Sequence, residues 1–398
     1  MVVSQYYPPE THGSIPRSVA HGLAERGHDV RVVTTFPNHP YGRLFDGWRQ
    51  RFRHVEADGP VTVRRVPMLP DHSGSAARRV LAYLSFAASS VTASWFARRA
   101  DVVYVYGAQP TAAIVPMLWR RAFGVPVVLH VQDIWPESVT GSGMLPSGRA
   151  VRWADAWILR WLRGLHRSAA HVVAIAPGAA RLLQERGADC RRTSVILNWA
   201  TTAPDRIERP SGDQRTRVVY AGNLGPNQGL DTFVQAMARC RDLPGLEMEF
   251  IGDGLAADAL RSSATALGVD SVRFSPAVPR DRMSTVHATT DFAVVALRDV
   301  AMSDVTIPSK LQDALVHGVP VIAAVPGDAA DVVRDGEAGF VVAPGDVDAL
   351  ETAIRSAHAT SPAERRRLSD AALTVADRHM HAGRALDHLD HLLRKAAS

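Results

Sequence analysis

Of the 45 basic residues in this 398-residue chain, 43 are arginine and two are lysine, Lys310 and Lys395. A chain that uses arginine so freely makes Lys310 conspicuous, because it stands beside Ser309 in a helix-forming run, Thr306 to Ala324 (TIPSKLQDALVHGVPVIAA). A helix N-terminus presents free N–H groups and a positive dipole end, which suits phosphate. A compact ammonium there is a point charge that arginine's planar fork does not reproduce. Asp313 lies one turn on, where a carboxylate can accept two sugar hydroxyls. These types and spacings describe a grip for a diphosphate with a sugar beside it. The competing reading of Lys310 is a chance survivor on a solvated face.

Such a grip needs a loop, a helix and a buried strand in that order. Pro308 suits the first helical turn, where its missing N–H costs nothing. Leu311 and Leu315 give the helix a buried side, Gly318 ends it, and Val319 to Ala324 reads as a buried strand. The second half repeats this alternation. Val218–Tyr220, Met248–Ile251, Val272–Phe274, Phe292–Ala296, Pro320–Ala324 and Gly339–Val342 are expected strands. Leu230–Ala238 and Ala256–Leu267 are expected helices, and Gly222-Asn223-Leu224-Gly225 and Gly252-Asp253-Gly254 tight strand-to-helix turns. The first half alternates too, with strands at Val2–Tyr6, Val30–Thr34, Val102–Tyr106 and Val127–Val131 and a helix at Arg17–Arg26. Both halves are therefore α/β, with doubly wound parallel sheets whose ligands sit at the carboxyl ends of the strands. In the first half that rim carries PPETHGS (Pro8 to Ser14), the Asn38-His39 loop, the Gly107–Pro110 loop and the stretch after His130. The expected division is residues 1–200, a linker over 201–217, a second domain over 218–370, and a helical segment over 371–398 that packs back on the first domain. Two facing rims would make a cleft.

Composition narrows the function classes. Hydrophobic content of 46% and charged content of 21% describe a globular chain of two-domain size. A net charge of +5 and a pI near 9.5 favour anionic partners. The arginines are dispersed and no nucleic-acid motif is present, so nucleic acid is not expected. Cys190 and Cys240 lack a metal-like spacing and fit a reducing compartment; with no signal peptide evident, a cytoplasmic location is expected. No GxGxxG follows the first strand, which argues against a dinucleotide dehydrogenase. Two stretches bear on membranes. Val80–Phe96 is mostly apolar but short of a confident span, and is expected to be a core or groove helix. In the helix over Val151–Arg167, Trp153, Trp157 and Trp161 recur every four residues with Arg152, Arg160, Arg163 and Arg167 around them. A core stripe with a basic solvent face is the expected reading, and an interfacial helix on an anionic membrane the sharper one.

PPETHG, LAERGHDVRVVT, YAGNLGPNQGLDTFVQA, GDG at 252–254 and GVPVIAAVPGDAADVVRDGEAGFVVAPGD occur in an order that resembles GT-B retaining glycosyltransferases of family 4 over nearly the full length. FPNHP, DIWPES, LNWA and PSKLQ further resemble the branch of N-acetyl-fucosamine transferases of bacterial surface polysaccharide assembly. The resemblance implies a GT-B fold, two Rossmann-like domains facing an interdomain cleft, with a nucleotide-sugar, a UDP-sugar, held by the C-terminal domain. Asp313 matches the second acid of the family's paired-acid pattern and is implied to hold the ribose; the first acid falls on Val305, with Asp304 one place off. The family's Arg and Lys phosphate pair falls on Asn223 and Gln228, which throws the diphosphate onto Lys310, Ser309 and the helix dipole. Gly13, Gly222, Asp253 and the backbone near Thr306 complete the implied donor site. The family's His-Asp becomes Gln132-Asp133; Asp133 is implied to be catalytic with Lys310, and Gln132, Glu137, Asn38 and His39 to face the acceptor.

The implied reaction transfers a hexosyl or N-acetylhexosaminyl group with retention, by front-face attack in which the departing phosphate takes the acceptor's proton. No cofactor and no metal is then required. The acceptor would be a glycan, a polyprenyl-diphosphate sugar or a small molecule, with peripheral contact to an anionic membrane in the lipid case. Two rivals remain at this level: an epimerase or phosphorylase of the same fold, and a non-catalytic nucleotide-sugar-binding member.

Overall fold

The computed structural model describes residues 1–71, 75–137, 149–200, 205–207, 215–279, 282–300 and 302–398. The chain forms two compact units, Met1–Thr201 with Ala382–Ser398, and Thr202–His381. Most of the expected linker lies outside the described residues.

Unit 1 is built on eight strands: β1 (Val2–Ser4), β2 (Arg31–Thr35), β3 (His54–Asp58), β4 (Val61–Val66), β5 (Val103–Gly107), β6 (Val127–Val131), β7 (His171–Ala174) and β8 (Thr193–Val195). Their order is β3-β4-β2-β1-β5-β6-β7-β8. All neighbours are parallel except β3, which pairs antiparallel with β4 as an edge hairpin, Asp58 opposite Val61. Sequence reading expects no such pair. HVEAD alternates half-buried and exposed residues, too weak a pattern to stand out without its partner. β1 sits in the centre, Val2 opposite both Val32 and Tyr104, and the order in which the chain adds strands reverses between β1 and β5. The loops after these two strands flank the switch point, where doubly wound sheets bind ligands.

The core behind this sheet joins Val2, Val32, Val63, Tyr104, Val128 and Val173 to the helix Ser14–Glu25 and to the last helix, Ala382–Ala397. A Cβ on Gly22 would lie 2.4 Å from a Leu386 methyl, so glycine is what lets these two helices approach. The terminal stretch expected to be one segment from 371 is two helices, Pro362–His379 and Ala382–Ala397, and only the second belongs to unit 1.

Unit 2 has six parallel strands, β9 (Thr216–Ala221), β10 (Leu246–Ile251), β11 (Val272–Ser275), β12 (Phe292–Ala296), β13 (Val321–Ala324) and β14 (Gly339–Val342). The order β11-β10-β9-β12-β13-β14 is that of a Rossmann sheet, with its switch point between β9 and β12. Phe233, Met237, Met248, Phe250, Phe292 and Ile354 pack its core.

The helix Arg149–Ser168 overturns one expectation. Leu162, Leu165 and His166 face the core, whereas Trp153 and Trp157 are 72% and 68% exposed and Trp161 is 38% exposed. The regular tryptophan spacing marks the outer stripe, and the shorter aliphatic residues form the buried one. The apolar helix after β4 is likewise only half interior. Ala82, Phe86 and Ala87 are buried, while Val80, Leu81 and Leu84 are exposed.

Candidate functional site

In unit 2 the residues expected to form the grip lie around one helix N-terminus. The helix runs Ser309–Val316 with Pro308 as its cap residue, and no side chain caps its first N–H groups. Pro308 therefore stands one place earlier than expected. Gly318 follows the helix with φ +67°, the left-handed position expected of it. The Lys310 ammonium lies 5.0 Å from the centre of the Tyr220 ring. A Cβ on Gly222 would come within 2.6 Å of Lys310 Cε. Among the described residues that ammonium has neither an ion-pair nor a hydrogen-bond partner. Burial pushes its pKa down, and the Asp313 carboxylate pulls it back up. The Asp313 side chain is half-buried and lines a small cavity with Lys310, His287 and Thr290.

Two glycine turns form the floor beside Lys310. Gly222 N–H donates to the Ile251 carbonyl at 2.8 Å, and Leu224 N–H to the Asp253 carbonyl at 2.8 Å. The Asp253 carboxylate itself points to solvent. Tyr220, absent from sequence reading, organises this corner: its hydroxyl donates to the Asn223 carbonyl at 2.7 Å, with Gln228 Oε1 at 3.2 Å. One ring thus holds the Gly222–Gly225 turn, positions Gln228 and offers its face to the ammonium. The signal for Tyr220 was its place at the end of β9, two residues before Gly222. Thr306 is exposed, its hydroxyl turned back onto the Met302 carbonyl at 2.6 Å, and Ser309 is exposed at the helix start. Val305 is buried, so no carboxylate stands at the family's first acidic position; the Asp304 side chain is exposed, its own carbonyl packed against Gly327.

In unit 1 the strand ends carry a second cluster, and the structure redistributes its roles. Glu10 is 2% exposed, and its Oε1 accepts the backbone N–H groups of Asn38 and His39, each at 2.8 Å. Sequence reading missed Glu10, although it sits inside the PPETHG motif. The Asn38 side chain is turned inward, donating to the Phe36 carbonyl at 2.9 Å, so its expected place at the acceptor is corrected to loop closure. His39 remains at the rim in a ring cluster with His12 (4.3 Å between centres) and Tyr6 (5.3 Å). Gly13 is fixed by packing, since a Cβ there would lie 2.4 Å from the Tyr7 carbonyl carbon.

The DIWPES stretch is similarly divided. Glu137, expected at the acceptor, forms a two-pronged ion pair with Arg186 (2.6 and 3.0 Å), and Arg186 also donates to the Trp135 carbonyl at 2.9 Å. Its carboxylate is committed to holding this loop to the end of the helix Pro177–Glu185. Replacing Glu137 by alanine is expected to lower unfolding stability by ~1.5–3 kcal/mol, as loss of a part-buried charge-assisted pair does, measured by denaturant titration. Gln132 Oε1 accepts from Asn198 Nδ2 at 2.7 Å; Gln132 Nε2 and Asn198 Oδ1 are buried without a hydrogen-bond partner among the described residues. His130 is fully buried, its Nδ1 2.6 Å from the Tyr104 hydroxyl. Burial lowers its pKa to about 4, the Ile196 carbonyl opposing, so it is a neutral structural imidazole. Among the described residues the Asp133 carboxyl makes no hydrogen bond or ion pair. Burial of the carboxyl raises its pKa to about 6, but the residue as a whole is exposed, so water screens part of that shift. Burial raises the hydroxyl pKa values of Tyr6, Tyr83 and Tyr106, and the Asp133 charge adds a smaller push in the same direction.

Comparison with known proteins fits this arrangement. Residues 13–199 match the family described as glycosyl transferase 4-like domain, and residues 203–374 match glycosyl transferases group 1. The chain is 28% identical over 329 residues to the putative colanic acid biosynthesis glycosyl transferase WcaI of Escherichia coli, covering 78% of this chain and 79% of that protein. It is 34% identical over 258 residues to a GDP-mannose-dependent phosphatidylinositol monomannoside mannosyltransferase of Mycolicibacterium smegmatis, covering 63% and 65%. Among solved structures it resembles HepE of Anabaena in complex with UDP (TM-score 0.70, 18% identity, 99% of each chain). It also resembles sucrose-phosphate synthase of Thermosynechococcus elongatus (TM-score 0.72, 18% identity, 100% and 99%). With both halves of the architecture matched in order, the chain belongs to the GT-B glycosyltransferases that join a 4-like domain to a group 1 domain.

Proposed function

We propose that this glycosyltransferase takes a hexosyl or N-acetylhexosaminyl group from a UDP-linked donor, with retention, and places it on a lipid-linked glycan at the cytoplasmic face of the membrane. The observation that carries the donor half is Lys310: a half-buried ammonium over the Tyr220 ring, with no hydrogen-bond or ion-pair partner among the described residues, beside an uncapped helix N-terminus and a glycine turn. Partial desolvation of an unpaired cation is costly, and an anionic ligand offsets that cost. In the reaction the bond from the anomeric carbon to the diphosphate oxygen breaks and one to the acceptor oxygen forms. The acceptor proton passes to the departing phosphate. Lys310 and the helix N–H groups stabilise the charge that develops there, and no metal is required. Asp313 holds the ribose hydroxyls. The N-acetyl-fucosamine branch supplies the proposed sugar class, and the anionic membrane is the proposed peripheral partner.

A thermal-shift panel of nucleoside diphosphates and nucleotide-sugars tests the donor. UDP and UDP-sugars are expected to stabilise most, by mass action, and a panel in which none shifts the midpoint would overturn the proposal. The anomeric configuration of the product, read by NMR, tests retention. Donor incubated without acceptor should stay nearly intact, since an epimerase would convert it.

Asp133 gives a pH test. We assign it to orienting the acceptor hydroxyl or the transferred sugar as a carboxylate, so activity should rise with pH on a limb centred near 6. Asp133→Asn should lower the plateau by ~10²-fold and remove that limb. For stability the sign is opposite. A carboxyl whose folded pKa is raised contributes stability below its unfolded pKa, and that contribution is lost as pH rises through about 6. An unchanged pH–rate limb in Asp133→Asn would exclude the role.

A further inference from the structure

We propose that one outer face of unit 1 seats on an anionic bilayer, its aliphatic and tryptophan side chains entering the interface and its arginines meeting the lipid phosphates. The chain segments after β4, β5, β6 and β7 all cross in one direction along the sheet, so right-handed connection puts their helices on the same face. A cavity on that face is lined by Ala113, Leu162, Leu165 and Leu183 over Val105 and Leu129, which places the last three side by side. The helices Ser14–Glu25 and Ala382–Ala397 cover the opposite face.

What this face presents outward is unusual for a protein surface. On the first segment Leu81, Leu84, Val91 and Trp95 are exposed at helical spacing, with Ala88 between them. Leu118 and Phe123 are exposed on the helix Ile114–Phe123, and Trp153, Trp157 and Trp161 on Arg149–Ser168. Exposed large apolar residues on three segments of one face mark a candidate interaction site. The charges identify the occupant. Residues 76–99 and 114–123 contain no Asp or Glu, and 149–168 contains one, Asp155. Arg98, Arg99, Arg121, Arg160, Arg163 and Arg167 are exposed around the apolar residues. Tryptophan with arginine on one helix face is the composition that suits a headgroup boundary, where the indole sits at the interface and the guanidinium reaches phosphate.

The fold also fixes the mode of contact. Ala77–Ala97 is apolar enough to cross a membrane by length and composition, at a mean hydropathy of 1.4. Its other side, Ala82, Phe86, Ala93 and Phe96, is buried in unit 1. A helix anchored along one side cannot be threaded through a bilayer without unfolding the unit, so it lies along the surface and inserts only its exposed stripe. This deepens the proposed lipid-linked acceptor by naming the surface that would meet it.

Vesicle co-sedimentation of the full chain tests the assignment. Phosphatidylcholine vesicles with and without 30% phosphatidylglycerol, roughly the anionic fraction that gives a strong surface potential, are titrated at rising salt. Binding is expected to the anionic vesicles, at least tenfold weaker to the neutral ones, and to fall with salt. Trp153→Ser with Trp157→Ser should weaken it about tenfold or more, since both side chains are exposed and their loss leaves the core intact. Arg160→Gln with Arg163→Gln should flatten the salt dependence. Stabilisation by UDP is measured on the same variants and should not change, so failure to bind vesicles and failure to bind donor are read separately. No vesicle binding at low salt, equal binding to neutral vesicles, or unchanged binding in the tryptophan variant would overturn the proposal. So would a dimer in sedimentation velocity that the tryptophan variant dissolves, which would assign this face to a second copy.

Discussion

Lys310→Ala is expected to abolish stabilisation by UDP and to cut turnover by ~10²–10³-fold, the loss seen when one preorganised charge stabiliser is removed. The variant should fold normally. Its ammonium is half-buried against Tyr220 and Gly222 and makes no ion pair among the described residues, so removing it relieves a partly desolvated charge that Asp313 offsets only from a distance. The apo protein's melting temperature should hold or rise while the ligand-dependent shift disappears. That opposite movement separates a binding role from a structural one. Lys310→Arg should not rescue, because Gly222 already lies within van der Waals reach of the lysine stem and the larger fork has no room there. If the alanine variant kept both the UDP shift and turnover, the donor site would lie elsewhere.

Gly252→Ala is expected to be among the most damaging single-methyl changes in unit 2. Gly252 has φ +141°, a conformation alanine rarely adopts, and its Cβ would stand 2.0 Å from the Gly222 carbonyl oxygen. The obstacle is backbone on a turn that is itself bonded to the end of β10, so no side chain can swing aside. The cost should be at least ~3 kcal/mol, or roughly 6–12 °C in the unfolding midpoint of a unit this size. UDP affinity should fall at least tenfold as well, because relieving the clash displaces Gly222, the wall beside Lys310. Gly164→Ala is the control: an added Cβ there meets nothing within 4 Å in a helix, so stability should rise by ~0.5–1 kcal/mol. Comparable midpoints for the two variants would show that the back-to-back glycine turns carry no special strain.

The sequence by itself determined the local elements and singled out Lys310. Phe292–Ala296 and Gly339–Val342 lie where their apolar runs predict, and Gly318 takes the left-handed position a helix end needs. Lys310 stood out because its signal was compositional and Ser309 and Asp313 share its helix turn, while Tyr220 and Gly222, which flank its ammonium, come from about 90 positions away. The shared turn is local, and local spacing is what a sequence records directly. The tertiary structure alone decided which polar residues remain available. Glu137 and Asn38 looked identical in kind to Asp133 and His39, yet Arg186, 49 positions from Glu137, and the Phe36 carbonyl consume them, while Glu10 closes the loop from 28 positions away. It alone decided, too, that the tryptophan stripe faces outward. A period near 3.6 shows that a helix has two faces, and only the packing partners show which of them the core takes; here Leu162 and Leu165 fill that space and the indoles are left outside.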